Sequence, residues 1–297
     1  MSSLTMTTHR TRTSTRAQVM RLGARVLLYA LVLFLTAVFT VPLLWTVTSS
    51  LKAVTDLYMF PPLIFPPKPQ FSNYPRAWTY VPFGAFYLNT IIVTASATAG
   101  AVLSSTLAAY GFARGRFPGR NVLFYLVLST LMLPGEVTII PKFILFKELG
   151  WIDTFKPLIV PEWFGGGAFN IFLLRQFFLP IPRTFDEAAT VDGAGSFRIL
   201  WNILLPLCSP AIITVAILTF LNHWNDFFEP LIYLNSPENL TLSLGLRFFL
   251  LSPTEGGEPK DHLLMAAVLM AALPCLIIFF VAQRYFVRGI VMSGIKG

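Results

Sequence analysis

Charged residues divide the chain into long apolar runs. Residues 26–51, 77–113, 199–225 and 262–283 contain no Asp, Glu, Lys or Arg. Because an α-helix rises about 1.5 Å per residue, each run is long enough to cross the roughly 30 Å of hydrocarbon in a bilayer. The pattern therefore predicts four membrane-spanning helices with short connections.

Two further apolar segments contain charges and helix breakers. Residues 121–146 include Pro134, Glu136 and Pro141, and residues 157–178 include Glu162 and three successive glycines. Membrane helices tolerate such residues where neighbouring helices satisfy the freed backbone groups, so both segments are predicted to be kinked or broken spans. The predicted fold class is an all-α polytopic membrane protein with six transmembrane helices, over about residues 26–50, 84–112, 121–146, 157–179, 205–233 and 262–284.

The second span and the segment before it have distinctive compositions. Ala97, Ala101 and Ser105 recur at four-residue spacing, and such small faces let helix backbones approach closely inside membranes. This span is therefore predicted to be buried against other helices. Residues 56–82 contain seven prolines and are predicted to form an extended ordered loop rather than a helix.

The overall composition excludes an ordinary soluble enzyme. Hydrophobic residues make up 55% of the 297 residues and charged residues only 12%, with a mean hydropathy of +0.67. Soluble domains carry about 25% charged residues. The formal charge of +8 would suit a nucleic-acid binder, but in a membrane protein it must first be compared with topology.

Basic residues predict the orientation in the membrane. Five arginines and no acidic residue precede the first span, and Arg114, Arg116 and Arg120 lie in the short link after the second. Basic residues concentrate in cytoplasmic loops, so residues 1–25 and 287–297 are predicted to be cytoplasmic tails. This topology places 14 of the 22 Lys and Arg inside. The first span is expected to remain as an anchor, because it is too long for a signal-peptide core.

One predicted cytoplasmic loop, residues 181–206, has the pattern of a short capped helix. Thr184 and Glu187 match a capping box, and Phe185, Ala188 and Ala189 would share one helix face. Asp192-Gly193 then predicts a terminating turn. These features suit a capped hairpin without a partner and a helix that docks into a groove of another protein equally well.

Residues along the chain from Ser50 onward resemble a family of transport proteins. Glu187-Ala188-Ala189 with Asp192-Gly193-Ala194 resembles the EAA loop of ABC importer permeases, especially carbohydrate permeases of the maltose-transport type. The resemblance extends to residues 50–52, 107–114, 134–141, 174–178, 224–231 and 283–289. It implies the type I importer permease fold and an EAA loop that forms a coupling helix.

The resemblance also implies roles and partners. Glu187 would contact the ATPase subunit, Ala188 and Ala189 would pack in its groove, and Asp192 with Gly193 would form the turn that follows. The chain contains no G-x-x-x-x-G-K-[ST] phosphate loop, so ATP and Mg²⁺ are expected on a partner ATPase dimer, with no cofactor on this chain. A second homologous permease and an extracytoplasmic solute-binding protein would complete an importer in the bacterial inner membrane.

Polar residues at membrane depth are candidates for a translocation pathway. Asn222, Trp224 and Asn225 lie late in the fifth span, and polar groups within a membrane often mark a pathway. Amides and an aromatic ring also suit sugars. An aromatic belt at the outer interface explains the same residues equally well. Asn89 and Glu136 are further pathway candidates.

Signs of enzyme chemistry are missing from the sequence. The three histidines are dispersed, and the sequence has no G-x-S-x-G or H-E-x-x-H motif. Cys208 and Cys275 lie in apolar runs and are predicted to be packing residues rather than a disulfide or metal site. The alternatives kept open are an importer of glycerol phosphate with the same architecture and a membrane-embedded enzyme.

Overall fold

The computed structural model describes residues 15–251 and 259–294, with side chains over 22–250 and 259–283. The ordered elements in this part of the chain are all helical. Their bounds are α1 Thr15–Ser50, α2 Val54–Leu57, α3 Asn73–Tyr80, α4 Phe83–Arg114, α5 Arg120–Ser129, α6 Gly135–Glu148, α7 Lys156–Gly165, α8 Ala168–Phe178, α9 Thr184–Val191, α10 Ser196–Ile199, α11 Leu205–Leu207, α12 Ser209–Trp224, α13 Phe228–Tyr233, α14 Leu242–Gly245, α15 Phe248–Leu251 and α16 Asp261–Gly294.

Four stretches of helix are long and apolar enough to cross a membrane, namely Leu22–Ser50, Phe83–Arg114, Lys156–Phe178 and Asp261–Gln283. Two bent helix pairs also pass this test, Arg120–Met132 with Gly135–Glu148 and Ser196–Leu207 with Ser209–Trp224. The described residues therefore contain four spans, or up to six when each bent pair counts as one. The predicted all-α polytopic membrane fold is confirmed; the count of six stays a prediction.

One of the two bends was predicted from the sequence and the other was not. The chain turns by 101° between α5 and α6, where Pro134 lies in extended backbone between a 3₁₀ turn and α6. This break was predicted. The second break was not predicted: within the fifth apolar run the chain bends by 83° at Cys208. Pro206 and Pro210 flank the bend, and proline cannot donate the backbone hydrogen bond that would continue a straight helix.

Helix α4 is the centre of the bundle and packs against α7, α8 and α12. Ala97, Ala101 and Ser105 are all fully buried, which confirms the prediction from their spacing. α4 and α7 fit tightly together at Gly100, where even a Cβ would lie only 2.5 Å from the indole ring of Trp163. One apolar cluster surrounds the first turns of α4 near Trp224 and Tyr233, and a second surrounds its last turns near Leu174 and Leu204.

The proline-rich segment 56–82 is not extended throughout, so that prediction was wrong in part. Residues 73–80 form helix α3, with Pro75 in its first turn. Proline is tolerated there because the first-turn N–H groups have no partner within the helix. Asn73 is buried and donates to the carbonyls of Ser50 and Lys52, at 2.8 and 2.9 Å. α3 therefore satisfies backbone acceptors at the end of α1.

Helix α1 differs from the other spans in its surroundings. None of the most apolar window of Leu22–Ser50 is buried within the chain. Its contacts within the described residues are chiefly with α16. The first span therefore lies outside the packed core that α4 organises.

Candidate functional site

The EAA segment forms helix α9 at the end of the bundle where α4 finishes. The helix begins at Thr184, but the preceding residue Arg183 already has helical dihedrals and no side chain caps the helix. The predicted capping box is therefore wrong, because Thr184 lies inside the first turn instead of before it. Gly193 has a left-handed φ of +79°, which confirms that Asp192-Gly193 forms a turn that glycine permits.

The structure separates the two alanines that were predicted to share a docking face. Ala189 is only 9% exposed and belongs to the chain's own apolar cluster. Ala188 and Glu187 are exposed, and Val191 and Phe185 are 88% and 48% exposed. One face of α9 therefore packs on the bundle, and the other presents Phe185, Glu187, Ala188 and Val191 to its surroundings.

A partly buried charge pair ties α9 to the end of α4. Arg114 Nε lies 3.3 Å from Asp186 Oδ2, and the two side chains are 7% and 21% exposed. Arg114 also donates to the carbonyl of Ile181 at 2.8 Å. Neither Arg114 Nε nor Asp186 Oδ1 has a hydrogen-bond partner among the described groups. The contact is therefore an ion pair without hydrogen-bond geometry, beside a cleft of about 450 Å³ lined by Arg116, Arg183 and Glu187.

The segment after α9 carries further exposed aromatic residues. Residues 196–207, here called the bent arm, comprise α10, a π-helical turn and α11 before the 83° bend into α12. Phe197 is 75% exposed and Trp201 is 61% exposed. π-turns are rare and are often found at functional sites. α9 and the bent arm therefore each expose aromatic or apolar side chains, and the bent arm leads into a membrane span.

Two of the predicted pathway residues are used to hold the structure together. Trp224 is 4% exposed, donates through Nε1 to the carbonyl of Ala271 at 3.0 Å, and stacks on Phe220. Asn89 donates through Nδ2 to the carbonyls of Glu238 and Leu240, at 2.7 and 3.0 Å. Both side chains therefore have structural partners in the described residues.

Of the other predicted pathway residues, Asn222 and Asn225 share one cavity and Glu136 lies elsewhere. Asn222 and Asn225 are exposed and line a cavity of about 570 Å³ together with Glu162, His223, Asp226 and Glu229. Glu136 is exposed in the first turn of α6 and is not among the lining residues of that cavity. Sequence reasoning missed Glu162 and Glu229 as cavity residues. The sequence did contain a signal, because each is a carboxylate within or beside an apolar segment. Placing such a group in a membrane costs free energy, so its presence there usually indicates a functional site.

At the end of the bundle opposite α9, a carboxylate organises the loop that follows α13. Asp153 has a left-handed φ of 62°. Its Oδ1 accepts from the backbone N–H groups of Asn235 and Ser236, both at 2.9 Å, and its Oδ2 accepts from the Ser236 hydroxyl. These hydrogen bonds hold the pKa of Asp153 well below its ordinary value. No group of His, Cys, Asp and Glu able to hold a metal ion occurs among the described residues.

A bundle of apolar helices with an exposed helix docked at one end and a polar cavity between its spans has the architecture of a transport permease. The chain belongs to the family of binding-protein-dependent transport system inner membrane components, whose profile matches residues 100–292. The family and fold expected from the EAA segment are thereby confirmed.

Relatives and a solved structure agree with this assignment. The chain is 32% identical over 86% of its length to the diacetylchitobiose uptake system permease of Streptomyces coelicolor, covering 84% of that protein. It is 32% identical over 80% of its length to the sn-glycerol-3-phosphate transport system permease of Yersinia pestis, covering 86% of that protein. It superimposes with a TM-score of 0.80 at 26% identity on the crystal structure of a bacterial ABC transporter that imports the acidic polysaccharide alginate, covering 92% of this chain and 99% of that one.

Proposed function

We propose that this chain is a transmembrane permease subunit of an ATP-driven importer for a sugar or oligosaccharide. The observation that carries the proposal is helix α9, which exposes Glu187, Ala188 and Val191 while its other face packs on the bundle. An exposed helix face with apolar anchors suits a groove on a partner protein. The import of diacetylchitobiose and alginate by similar proteins supports a carbohydrate as the substrate.

The proposed assembly contains a second homologous permease, a dimer of ATPase subunits and an extracytoplasmic solute-binding protein. The family's description as binding-protein-dependent supports the last of these partners. ATP and Mg²⁺ would bind to the ATPase dimer, because this sequence has no phosphate-binding loop. Nucleic acid has no place in this assembly.

In the proposed orientation α9 and both termini face the cytoplasm. Closure of the ATPase dimer would displace α9, and two connections would transmit that displacement into the membrane. The Arg114–Asp186 pair leads to α4, and the bent arm leads to α12. Movement of packed helices in this way is a common basis of switching transitions.

Two substitutions test the coupling role of α9. Glu187→Lys reverses an exposed charge, and Gly193→Pro removes the left-handed φ of the terminating turn. We expect either variant to lower transport and substrate-stimulated ATPase activity at least tenfold, with normal membrane insertion. Glu148→Lys is the matched control, because Glu148 is an exposed acid at the end of α6. Wild-type transport by both α9 variants would contradict the assignment.

The glycerol phosphate importer remains the second candidate, because the permease of Yersinia pestis is as similar in sequence as the chitobiose permease. The assay that separates the candidates is ATPase stimulation of the reconstituted complex by its binding protein, across a panel of sugars and glycerol phosphate. Catalysis by the purified chain without an ATPase partner would instead favour the membrane-embedded enzyme.

A further inference from the structure

The cavity that contains Asn222 and Asn225 is built from several separate elements. α7 contributes Glu162, the last turn of α12 contributes Asn222 and His223, and the connection to α13 contributes Asn225 and Asp226. Glu162 is the seventh residue of α7 and His223 is the next-to-last residue of α12. The cavity therefore lies between spans.

The charged groups of the cavity are held in defined positions. Glu229 Oε1 lies 3.4 Å from Lys142 Nζ, and Glu162 Oε1 lies 3.8 Å from His223 Nε2. Asp226 Oδ1 accepts from the backbone N–H groups of Phe228 and Glu229, at 3.1 and 3.3 Å. Three carboxylates thus face one lysine and one histidine in and beside the cavity.

Exposure of these groups to lipid is energetically excluded. Charged side chains at membrane depth face a bundle interior or a water-filled path. Here the Glu162 and Glu229 side chains keep 28% and 34% of their surface accessible in the isolated chain. Their accessible surface therefore faces the interior of the permease assembly or a water-filled path and not lipid, and the adjoining amides of Asn222 and Asn225 share that environment.

This combination of groups has the chemistry of a polyol site. Carboxylates and amide oxygens accept hydrogen bonds from hydroxyl groups, amide N–H groups donate to them, and the rings of Phe227 and Phe228 line the same cavity. Resting on the proposed function, we infer that this cavity is a sugar subsite of the translocation pathway and that it admits neutral or amino sugars and repels anionic ones. The excess of carboxylates provides the repulsion.

The substrates of the similar transporters differ in charge. Alginate and glycerol phosphate are anions, whereas diacetylchitobiose is neutral. A path lined by excess negative charge lowers the local concentration of anions and raises that of cations. The cavity therefore favours a solute of the chitobiose charge class.

The electrostatic part of the inference is tested by thiol labelling in the reconstituted complex. Cys208 and Cys275 are first replaced by alanine, and Asn222→Cys is then treated with a cationic and an anionic methanethiosulfonate of similar size. The rate of each reagent is first divided by its rate with a free thiol. On this scale we expect the cationic reagent to react about tenfold faster than the anionic one, because the carboxylates make the local potential negative. In the added background of Glu162→Gln and Glu229→Gln, that preference should fall severalfold.

Thr79→Cys is the matched control for labelling. Thr79 is exposed in α3 and lines a different cleft, beside Arg76 and Lys260. We expect no preference for the cationic reagent there. Equal reactivity of Asn222→Cys with both reagents would overturn the charge selection.

The sugar subsite is tested by import kinetics with the neutral disaccharide diacetylchitobiose, its deacetylated cationic form and a diuronate. We expect Glu162→Gln to raise KM about tenfold for the imported sugar, since a charge-assisted hydrogen bond is lost, whereas Glu148→Gln leaves it unchanged. An unchanged KM, or import of the diuronate alone, would overturn this inference and leave the proposed function standing. A complex whose ATPase no substrate-loaded binding protein stimulates would overturn both.

Discussion

At the scale of single residues, Gly166 occupies the most restrictive position between α7 and α8. Its φ is +56°, and a Cβ there would lie 2.5 Å from Ser104 Oγ and 2.6 and 2.8 Å from the backbone atoms Ser105 N and Ala101 O. Backbone atoms of α4 cannot rotate away as a side chain can. The glycine therefore allows α7 and α8 to approach the central helix closely.

We expect Gly166→Ala to destabilise the folded chain by about 2–4 kcal/mol, through the left-handed strain and overpacking combined. The measurement is the thermal unfolding midpoint in detergent. Gly165→Ala is the internal control, because its Cβ would meet nothing within 4 Å, and we expect that variant to match the wild type to within about 1 kcal/mol. Equal midpoints for the two variants would show that the close approach is unimportant.

The hydrogen-bonded carboxylate of Asp153 should make the stability of the fold depend on pH. Hydrogen bonds from Ser236 and Asn235 depress its pKa in the folded state. A depressed carboxyl pKa stabilises the fold above the unfolded pKa of about 3.9, and this contribution is lost as pH falls through the folded value. Asp153→Asn should therefore lower the unfolding midpoint at pH 7, and the difference should shrink as pH falls below about 4.

Asparagine is a suitable replacement because it also tolerates a left-handed φ, so the variant tests the charge without straining the backbone. The unfolding midpoint is followed by differential scanning fluorimetry from pH 3 to 8. A difference that stays constant over this range would mean that packing at residue 153 matters and its charge does not.

At the scale of elements, the Arg114–Asp186 pair connects α9 to the end of α4. Loss of one partner leaves a partly buried charge uncompensated, which destabilises the fold. We expect Arg114→Gln and Asp186→Leu each to reduce the yield of folded protein and to abolish substrate-stimulated ATPase activity.

The double variant Arg114→Met with Asp186→Leu separates folding from transmission. Replacing a buried pair by apolar residues is often neutral for stability, so we expect recovery of folded yield. Stimulation of the ATPase by the loaded binding protein should remain at least severalfold lower than in the wild type. Full recovery of stimulation would show that the pair serves only the fold.

The sequence predicted those features that depend on local composition. Uncharged length identified the apolar spans, the spacing of Ala97, Ala101 and Ser105 identified the buried face of α4, and Asp192-Gly193 identified a left-handed turn. Each follows from a property of a residue and its near neighbours along the chain.

Features that depend on distant partners could not be predicted in this way. The pairs Arg114–Asp186 and Lys142–Glu229 join residues 72 and 87 positions apart in sequence. An aromatic residue beside two amides suits a sugar pathway, yet the indole N–H of Trp224 donates to the backbone carbonyl of Ala271. The use of Ala189 inside the chain likewise depends on how α9 is tethered, which a helical pattern does not specify.

At the scale of the whole molecule, charge and topology give a further prediction. The acidic residues predicted inside are Asp186, Glu187 and Asp192, and they surround the proposed docking face. In a background without Cys208 and Cys275, we expect a membrane-impermeant maleimide to label Asn235→Cys in intact cells. Asn121→Cys, which replaces an exposed residue at the start of α5 outside the proposed docking face, should be labelled only after the cells are opened.

Labelling of both positions from the same side would contradict the orientation in which α9 meets the ATPase. Leu133→Cys, in the break between α5 and α6, serves as a control for positions at membrane depth. We expect it to react slowly from either side, since thiolate formation requires water.

Because the chain bends by 83° between the bent arm and α12, the bent arm projects nearly at right angles to α12 and would act on it as a lever. Twelve residues extend about 18 Å at roughly 1.5 Å per residue, so a tip displacement of about 3 Å turns α12 by roughly 10° about its axis. Side chains lying about 5–6 Å from that axis then move by only about 1 Å. In the proposed assembly, a displacement of the bent arm by the ATPase would therefore be converted into a smaller and stronger movement at Asn222, which would suit breaking hydrogen bonds with a bound solute.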